Sequence, residues 1–273
     1  MEKRKEKLLL SVIHEYIKKA TPVASKMLAG RGGFKISSAT LRNEMADLEE
    51  EGYLIQPHTS AGRIPTEAGF AFYLASLSGR ESVLDNKEKR DLERAARATE
   101  YPEKSLAKVL AELSEEAVIL AFGKNDVYYT GLSNLFAKPE FHDQDLVYRI
   151  GEVVDHLDEI INEIFDDAKA QKNPSLTLPL KKGENSRRKG AKVEDDDAKA
   201  QKFRKGAKSG GLDDVQVLVG RDNPFSADCG AVVSRYCGKN KKVGLVAVLG
   251  PIRMDYGKNI ALVREVKDLL NKI

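Results

Sequence analysis

Ser37, Ser38, Thr40, Arg42 and Asn43 fall within seven positions at the start of an amphipathic segment, and together they present hydroxyls, a guanidinium and a carboxamide. These are groups that read nucleic acid: Arg pairs bidentately with guanine, Asn with adenine, and hydroxyls bond to base edges or phosphates. Leu41, Met45 and Leu48 align on one side of the same segment, so Thr40 and Asn43 project roughly opposite them and Arg42 flanks the pair. Ser37 or Ser38 has a second use as a helix N-cap, and the two roles coexist because a helix N-terminus also binds phosphate. Arg42 has an internal alternative, a pair with Asp47 or Glu49. The run Glu49-Glu50-Glu51 would repel phosphates, so the N-terminal half of the segment is the end expected to meet DNA. Further along, His58, Thr59, Ser60 and Arg63 are the donors that a wing directs at a nucleic-acid backbone or minor groove. A plain turn explains Ser60-Ala61-Gly62, but it accounts less easily for His58 and Arg63, which favours the wing.

The elements that must hold these groups are legible on either side. Leu8-Leu9-Leu10, Val12, Ile13, Tyr16 and Ile17 recur at helical spacing between basic residues, which predicts a first helix with one buried face. Thr21-Pro22 or Ser25 opens a short second helix over Lys26–Ala29, which Gly30, Gly32 and Gly33 stop. The third helix, Ala39–Glu51, carries the polar cluster and ends where Gly52 supplies a left-handed residue. Tyr53–Gln56 and Arg63–Pro65 read as the strands of a small hairpin. Thr66-Glu67 then opens a helix whose Phe70, Phe72, Tyr73, Leu74 and Leu77 pack back on the first three. Three helices, a hairpin and a helix make a winged helix-turn-helix.

The rest of the chain has a different texture. Residues 79–116 are charged and helical in pattern, broken at Tyr101-Pro102, and read as a connector. Strand patterns follow at Val118–Phe122, Val127–Thr130, Val215–Gly220, Gly230–Tyr236 and Val243–Leu249, with helical patterns at Asp145–Phe165 and Tyr256–Leu270. One sheet flanked by helices is the economical arrangement. Residues 166–210 belong to neither texture. They hold 13 Lys/Arg against 7 Asp/Glu, and Asp166–Lys172 recurs identically at Asp196–Lys202. So polar a stretch cannot bury enough surface to offset its ordering entropy, and disorder is expected. It reads as an insert tolerated in a surface loop, with a basic nucleic-acid-binding arm as the alternative.

Composition excludes several classes. The net charge of +3 traces to that basic insert, so overall charge does not argue for a DNA-binding head. Cys229 and Cys237 lack the His or Cys partners of a zinc site and read as reduced structural thiols. No metal and no cofactor is expected. There is no phosphate-binding glycine loop, no paired His at metal spacing and no nucleophile elbow, which argues against an enzyme. Apolar stretches such as Val243–Leu249 fall well below the roughly 18 residues of a membrane span, and Met1–Lys5 leads straight into a helix. A cytoplasmic protein without membrane association is expected.

The strings Ser37–Glu49 and Gln56–Thr66 resemble the heat-inducible transcription repressor family, HrcA. So do Gly131–Leu135 with Pro139-Glu140-Phe141, and Leu249–Tyr256; the likeness covers roughly residues 5–78, 117–165 and 211–270. The resemblance implies a homodimer that binds an inverted-repeat operator upstream of chaperone operons. It implies further that a GroE-type chaperonin keeps the protein active and that heat releases it by occupying the chaperonin with unfolded proteins. It also implies a GAF-like C-terminal domain. The expected fold class is therefore α+β, an N-terminal winged helix-turn-helix followed by a GAF-like α+β domain interrupted by a disordered insert. The expected divisions are 1–78 for the DNA-binding domain, 79–116 for the connector, 117–165 plus 211–273 for the regulatory domain and 166–210 for the insert. Family members carry a longer region, including a dimerisation domain, between the first strand of the regulatory domain and Tyr129–Leu135. This chain joins them directly, so its dimer needs another surface. A small-molecule-responsive regulator is the alternative, with Arg221-Asp222-Asn223 and Arg253–Tyr256 lining a ligand pocket, although turn and helix-cap roles explain these clusters at least as well.

Overall fold

The computed structural model describes residues 2–29, 34, 36–77, 82–170, 215–220, 223–239 and 241–273, with 166–170 described by backbone alone. Apart from residues 166–170, the predicted insert lies outside the described residues. The chain divides into two compact units, the first holding Met1–Ser78 and the second beginning at Gly79.

In the first unit, α1 (Lys3–Lys19) buries Leu8, Leu9, Val12 and Ile13 and ends on Ala20 in the left-handed region, whose N–H bonds Tyr16 O. The short α2 (Ser25–Leu28) starts later than Thr21-Pro22 suggests and has Ala24 at its N-cap, without a side-chain cap. The cause is remote in sequence: Val23 and Arg63 exchange both backbone hydrogen bonds, at 2.9 and 3.0 Å, which keeps Val23 extended. Helix α3 (Ser38–Glu50) follows, with Ser37 Oγ accepting from Thr40 N at 3.1 Å. Gly52, at φ +83°, turns the chain out of it as the sequence predicts. Two short strands, β1 (Leu54–Ile55) and β2 (Ile64–Pro65), pair antiparallel. Thr66 Oγ1 then accepts from Gly69 N and opens α4 (Glu67–Leu77). Leu8, Leu9, Ile13, Leu41, Met45, Leu48, Leu54 and Phe70 are at most 2% exposed, a core that α1, α3, β1 and α4 all supply.

The second unit opens with α5 (Asn86–Ala96), capped at Asp85 by a reciprocal capping box with Glu88, and α6 (Pro102–Ser114). Together they bury Leu92, Ala95, Leu106, Ala107, Leu110 and Ala111, so the predicted connector is an integral part of this unit. A five-stranded antiparallel sheet follows, built from β3 (Ala117–Gly123), β4 (Asp126–Thr130), β5 (Gln216–Val219), β6 (Cys229–Cys237) and β7 (Val243–Pro251). Its spatial order is β4-β3-β7-β6-β5. Between β4 and β5 lie α7 (Leu132–Phe136), a 3-10 turn at Pro139–His142, α8 (Gln144–Asp155) and α9 (Leu157–Ala170). The predicted single helix Asp145–Phe165 is thus two, broken at His156, and the second continues five residues into the predicted insert. The final helix, α10, spans Tyr256–Leu270. This is the expected α+β domain.

Period-2 alternation assigns the two faces of the sheet. Ile119, Ala121, Ala231, Val233, Leu245 and Ala247 cluster with Leu135, Phe141, Ile150, Ile161 and Ile164 from α7–α9. Val118, Leu120, Val232, Val246 and Val248 are equally buried on the other face, the side of α6 and α10. Residue size is fitted locally: a Cβ on Gly250 would approach the Glu116 carboxyl carbon to 2.6 Å, so only glycine leaves that side chain its space.

Glu116 is 3% exposed, with Lys138 Nζ 3.3 Å from its Oε1. Burial pushes its carboxyl up to about 7 against the opposing pull of Lys138. The folded chain therefore holds this proton up to about pH 7, whereas the unfolded chain releases it near 4.5. Between those values the folded state binds more protons, so the contribution is full below 4.5 and declines as pH rises toward 7. The expected loss across that window is up to about 3 kcal/mol. In urea titrations at pH 4.5 and 7.5, Glu116→Gln should lack this decline, and an unchanged pH dependence would contradict the assignment.

Candidate nucleic-acid interface

Helix α3 lies with Leu41, Glu44, Met45 and Leu48 buried. A helix buried on that stripe must show its other side to solvent, and Thr40, Arg42 and Asn43 are exposed there. Ser37 is exposed at the N-cap, its Oγ 3.0 Å from Thr40 Oγ1, and Ser38 is half-buried. The cap leaves the first-turn N–H groups at the same end as the polar side chains, a local arrangement suited to an anion. The two alternative partners of Arg42 are engaged elsewhere: Asp47 binds Lys5 Nζ at 2.9 Å and Glu49 binds Arg63 Nη2 at 2.8 Å.

The C-terminal half of α3 is acidic, and basic groups of the same unit meet it. Arg4 Nη2 lies 2.6 Å from Glu44 Oε1, although without hydrogen-bond alignment, and Glu44 itself is 5% exposed. Lys5 also reaches Glu51 at 3.1 Å, and its hydrogen bonds to Asp47 and Glu51 raise its ammonium above the ordinary value. These pairs neutralise carboxylates on a helix whose other end carries Arg42 and Asn43. Neither Arg4 nor Lys5 is marked by the sequence, because partners forty or more positions away leave no local pattern.

The wing is tied down at its base. Its tip turns through Ala61 N bonding to His58 O at 2.8 Å, and His58, Thr59 and Ser60 are exposed. Beneath the tip, Gln56 Nε2 donates to Thr59 O at 3.1 Å and Ala61 O at 2.9 Å. Arg63 is placed differently from the other candidates. Its side chain is 12% exposed, and its Nε and Nη2 reach Glu49 Oε2 at 2.9 and 2.8 Å. The guanidinium is therefore engaged inside the protein, whereas His58, Thr59 and Ser60 stand exposed at the tip. Of the nine candidate residues, the structure brings five to the start of α3 and three to the wing tip; Arg63 lies beneath the wing.

Polar groups of the second unit that suggested a ligand pocket have structural partners instead. Arg253 binds Glu140 through Nε, and through Nη2 at 3.0 Å. Asp255 caps α10 by accepting from Lys258 N at 3.0 Å, and Tyr256 Oη donates to Ile252 O at 2.7 Å. Asn223 Nδ2 donates to Cys229 O and its Oδ1 accepts from Phe225 N, while Arg221 and Asp222 lie outside the described residues. Burial pushes the Cys229 thiol up to about 12, a protonated and unreactive group, and Cys237 is exposed and free. Among the described residues no His, Cys, Asp and Glu group could hold a metal, and no helix is long and apolar enough to cross a membrane.

Residues 73–260 match the family described as "HrcA protein C terminal domain". The chain is similar to the heat-inducible transcription repressor HrcA of Thermoanaerobacter sp. (strain X514), at 28% identity with 100% of this chain and 98% of that protein covered. Its similarity to the protein of the same description from Natranaerobius thermophilus is 30% over 98% of this chain and 95% of that one. These alignments run to 345 and 327 positions against 273 residues here, so the relatives carry stretches that this chain lacks. A crystal structure described as that of a hypothetical protein superposes with a TM-score of 0.56 at 21% identity, covering 99% of this chain and 98% of that one. That likeness concerns the fold.

Proposed function

The chain belongs to the HrcA family of heat-inducible transcription repressors, and we propose that it represses chaperone operons by reading an inverted-repeat operator with α3. The observation that carries this reading is the division of α3 into a buried stripe and an exposed row of Thr40, Arg42 and Asn43, with Ser37 and Ser38 at its N-terminal end. In the proposed complex Arg42 and Asn43 bond base edges, Ser37, Ser38 and Thr40 hold the adjoining backbone, and His58, Thr59 and Ser60 follow the strand from the wing. Two half-sites require two reading heads, so the operator-bound form is a homodimer. A GroE-type chaperonin is the proposed modulator, maintaining the active form. No cofactor takes part in this scheme. The relatives are transcription repressors, which supports a binding protein over an enzyme.

The test is an affinity series on operator duplexes substituted one base pair at a time. Replacing Arg42 by Ala should flatten discrimination at one symmetry-related pair of positions by roughly 1–3 kcal/mol. Binding to non-specific duplex should persist. If Arg42→Ala retains the wild-type base preference, α3 is not the reading helix.

A further inference from the structure

Glu49 belongs to the recognition helix, yet both its carboxylate oxygens face the hairpin. Its Oε1 accepts from Gln56 N at 2.8 Å, just past β1, and its Oε2 accepts from Arg63 just before β2. One carboxylate thus bridges the two strands of the wing and ties both to α3. The bond from Arg63 is a fork, with Nε at 2.9 Å and Nη2 at 2.8 Å from the same oxygen. From there Gln56 extends the network to the tip through Thr59 O and Ala61 O, and the Arg63 backbone is pinned to Val23.

We infer that Glu49 is a positioning residue that sets the wing at a fixed angle to the reading face of α3, and that Arg63 acts on DNA binding only through it. The inference rests on the DNA-reading role proposed above. A hairpin with two residues in each strand has almost no hydrogen-bond ladder to hold its orientation, so a wing of this size needs an external anchor. Glu49 supplies one from the helix that the wing must be aligned with. The charge balance fits as well: a carboxylate on α3 near a nucleic acid is repelled unless neutralised, and Arg63 neutralises it at contact distance. An arginine serving phosphate would instead be exposed and free of a carboxylate.

The two roles for Arg63 differ in three readouts. A phosphate contact tolerates lysine, whereas a forked bond to Glu49 does not. In the full-length chain Arg63→Lys should therefore weaken operator binding by roughly three- to tenfold, the cost of leaving the wing to be ordered on binding. On random-sequence duplex, Arg63→Ala should leave the slope of log affinity against log salt unchanged, whereas loss of a phosphate contact lowers it by about 0.9. Without DNA, the amide protons of Gln56 and Ala61 should exchange faster in Glu49→Gln than in wild type. Wild-type affinity retained by Arg63→Lys, or a slope reduced by about one in Arg63→Ala, overturns the clamp while leaving the DNA-reading role intact. Unaltered exchange in Glu49→Gln overturns it independently of any DNA. Failure of the wild-type chain to prefer an inverted repeat would count instead against the DNA-reading role, and amide exchange would still decide the clamp.

Discussion

Gly62→Ala should abolish tight operator binding while leaving the second unit folded. A Cβ at this position would overlap the carbonyl of Val23 and lie 2.7 Å from Ala24 N. Both obstacles are backbone, so no side-chain rotation relieves them. The chain can accommodate the methyl only by separating the wing from the segment before α2, which breaks the paired hydrogen bonds between Val23 and Arg63. Losing two such bonds and the order they impose costs about 1–3 kcal/mol of local stability. The larger effect falls on function, because the methyl displaces the whole wing from the backbone of Val23 and Ala24 in addition to loosening the Arg63–Glu49 clamp. Operator affinity is expected to fall by about a hundredfold, equivalent to ~3 kcal/mol. Fluorescence anisotropy with labelled operator would measure it, and a variant that binds like wild type would show that the wing plays no part.

Phe225→Ala should have the largest effect on stability, confined to the second unit. Phe225 is 1% exposed within the apolar cluster that Ile161, Ile164, Phe141 and Ala231 share. It stands in the loop that leads into β6, anchored by its own N–H to Asn223 Oδ1. Truncating a buried phenylalanine to alanine removes transfer energy and leaves a cavity, together about 3–5 kcal/mol. Total stability in a domain of this size is commonly 5–15 kcal/mol, so much of the margin disappears. If the reading head and the second unit are separate folding domains, calorimetry of the variant should show one transition moved well down and the other in place. A single transition shifted as a whole would mean that the two unfold together.

The sequence is informative wherever the determinant is local. The N-cap at Ser37, the glycine exit at Gly52, the buried stripe of α3 and the helix Tyr256–Leu270 follow from residues within one or two turns of each other, and each is found where the spacing puts it. What was not legible depends on distant partners. The sequence offers both Thr21-Pro22 and Ser25 as the opening of α2, and the choice of Ser25 depends on Arg63, forty positions on from Val23, which holds Val23 extended. The pairing of Arg63 with Glu49 is not legible, because an isolated arginine beside a turn gives no sign of a partner fourteen positions back. Helices α5 and α6 read as a connector because their charged faces dominate the composition, while the few apolar positions that dock them are sparse. Charge pairs such as Lys5 with Asp47 and Glu51 are similarly invisible until α1 and α3 are side by side. Thus the exposed row of α3 is accessible from sequence, whereas the framework that holds it requires the fold.

If α3 reads sequence in a twofold arrangement, selection from a pool of random duplexes will show it. The purified full-length chain should enrich sequences in which one half-site recurs in inverted orientation, with binding saturating at two protomers per duplex. The same selection with Arg42→Ala should lose the consensus at one symmetric pair of positions and keep the remainder. A wild-type pool without consensus, or a single unrepeated site saturating at one protomer, would show that α3 does not read a twofold operator.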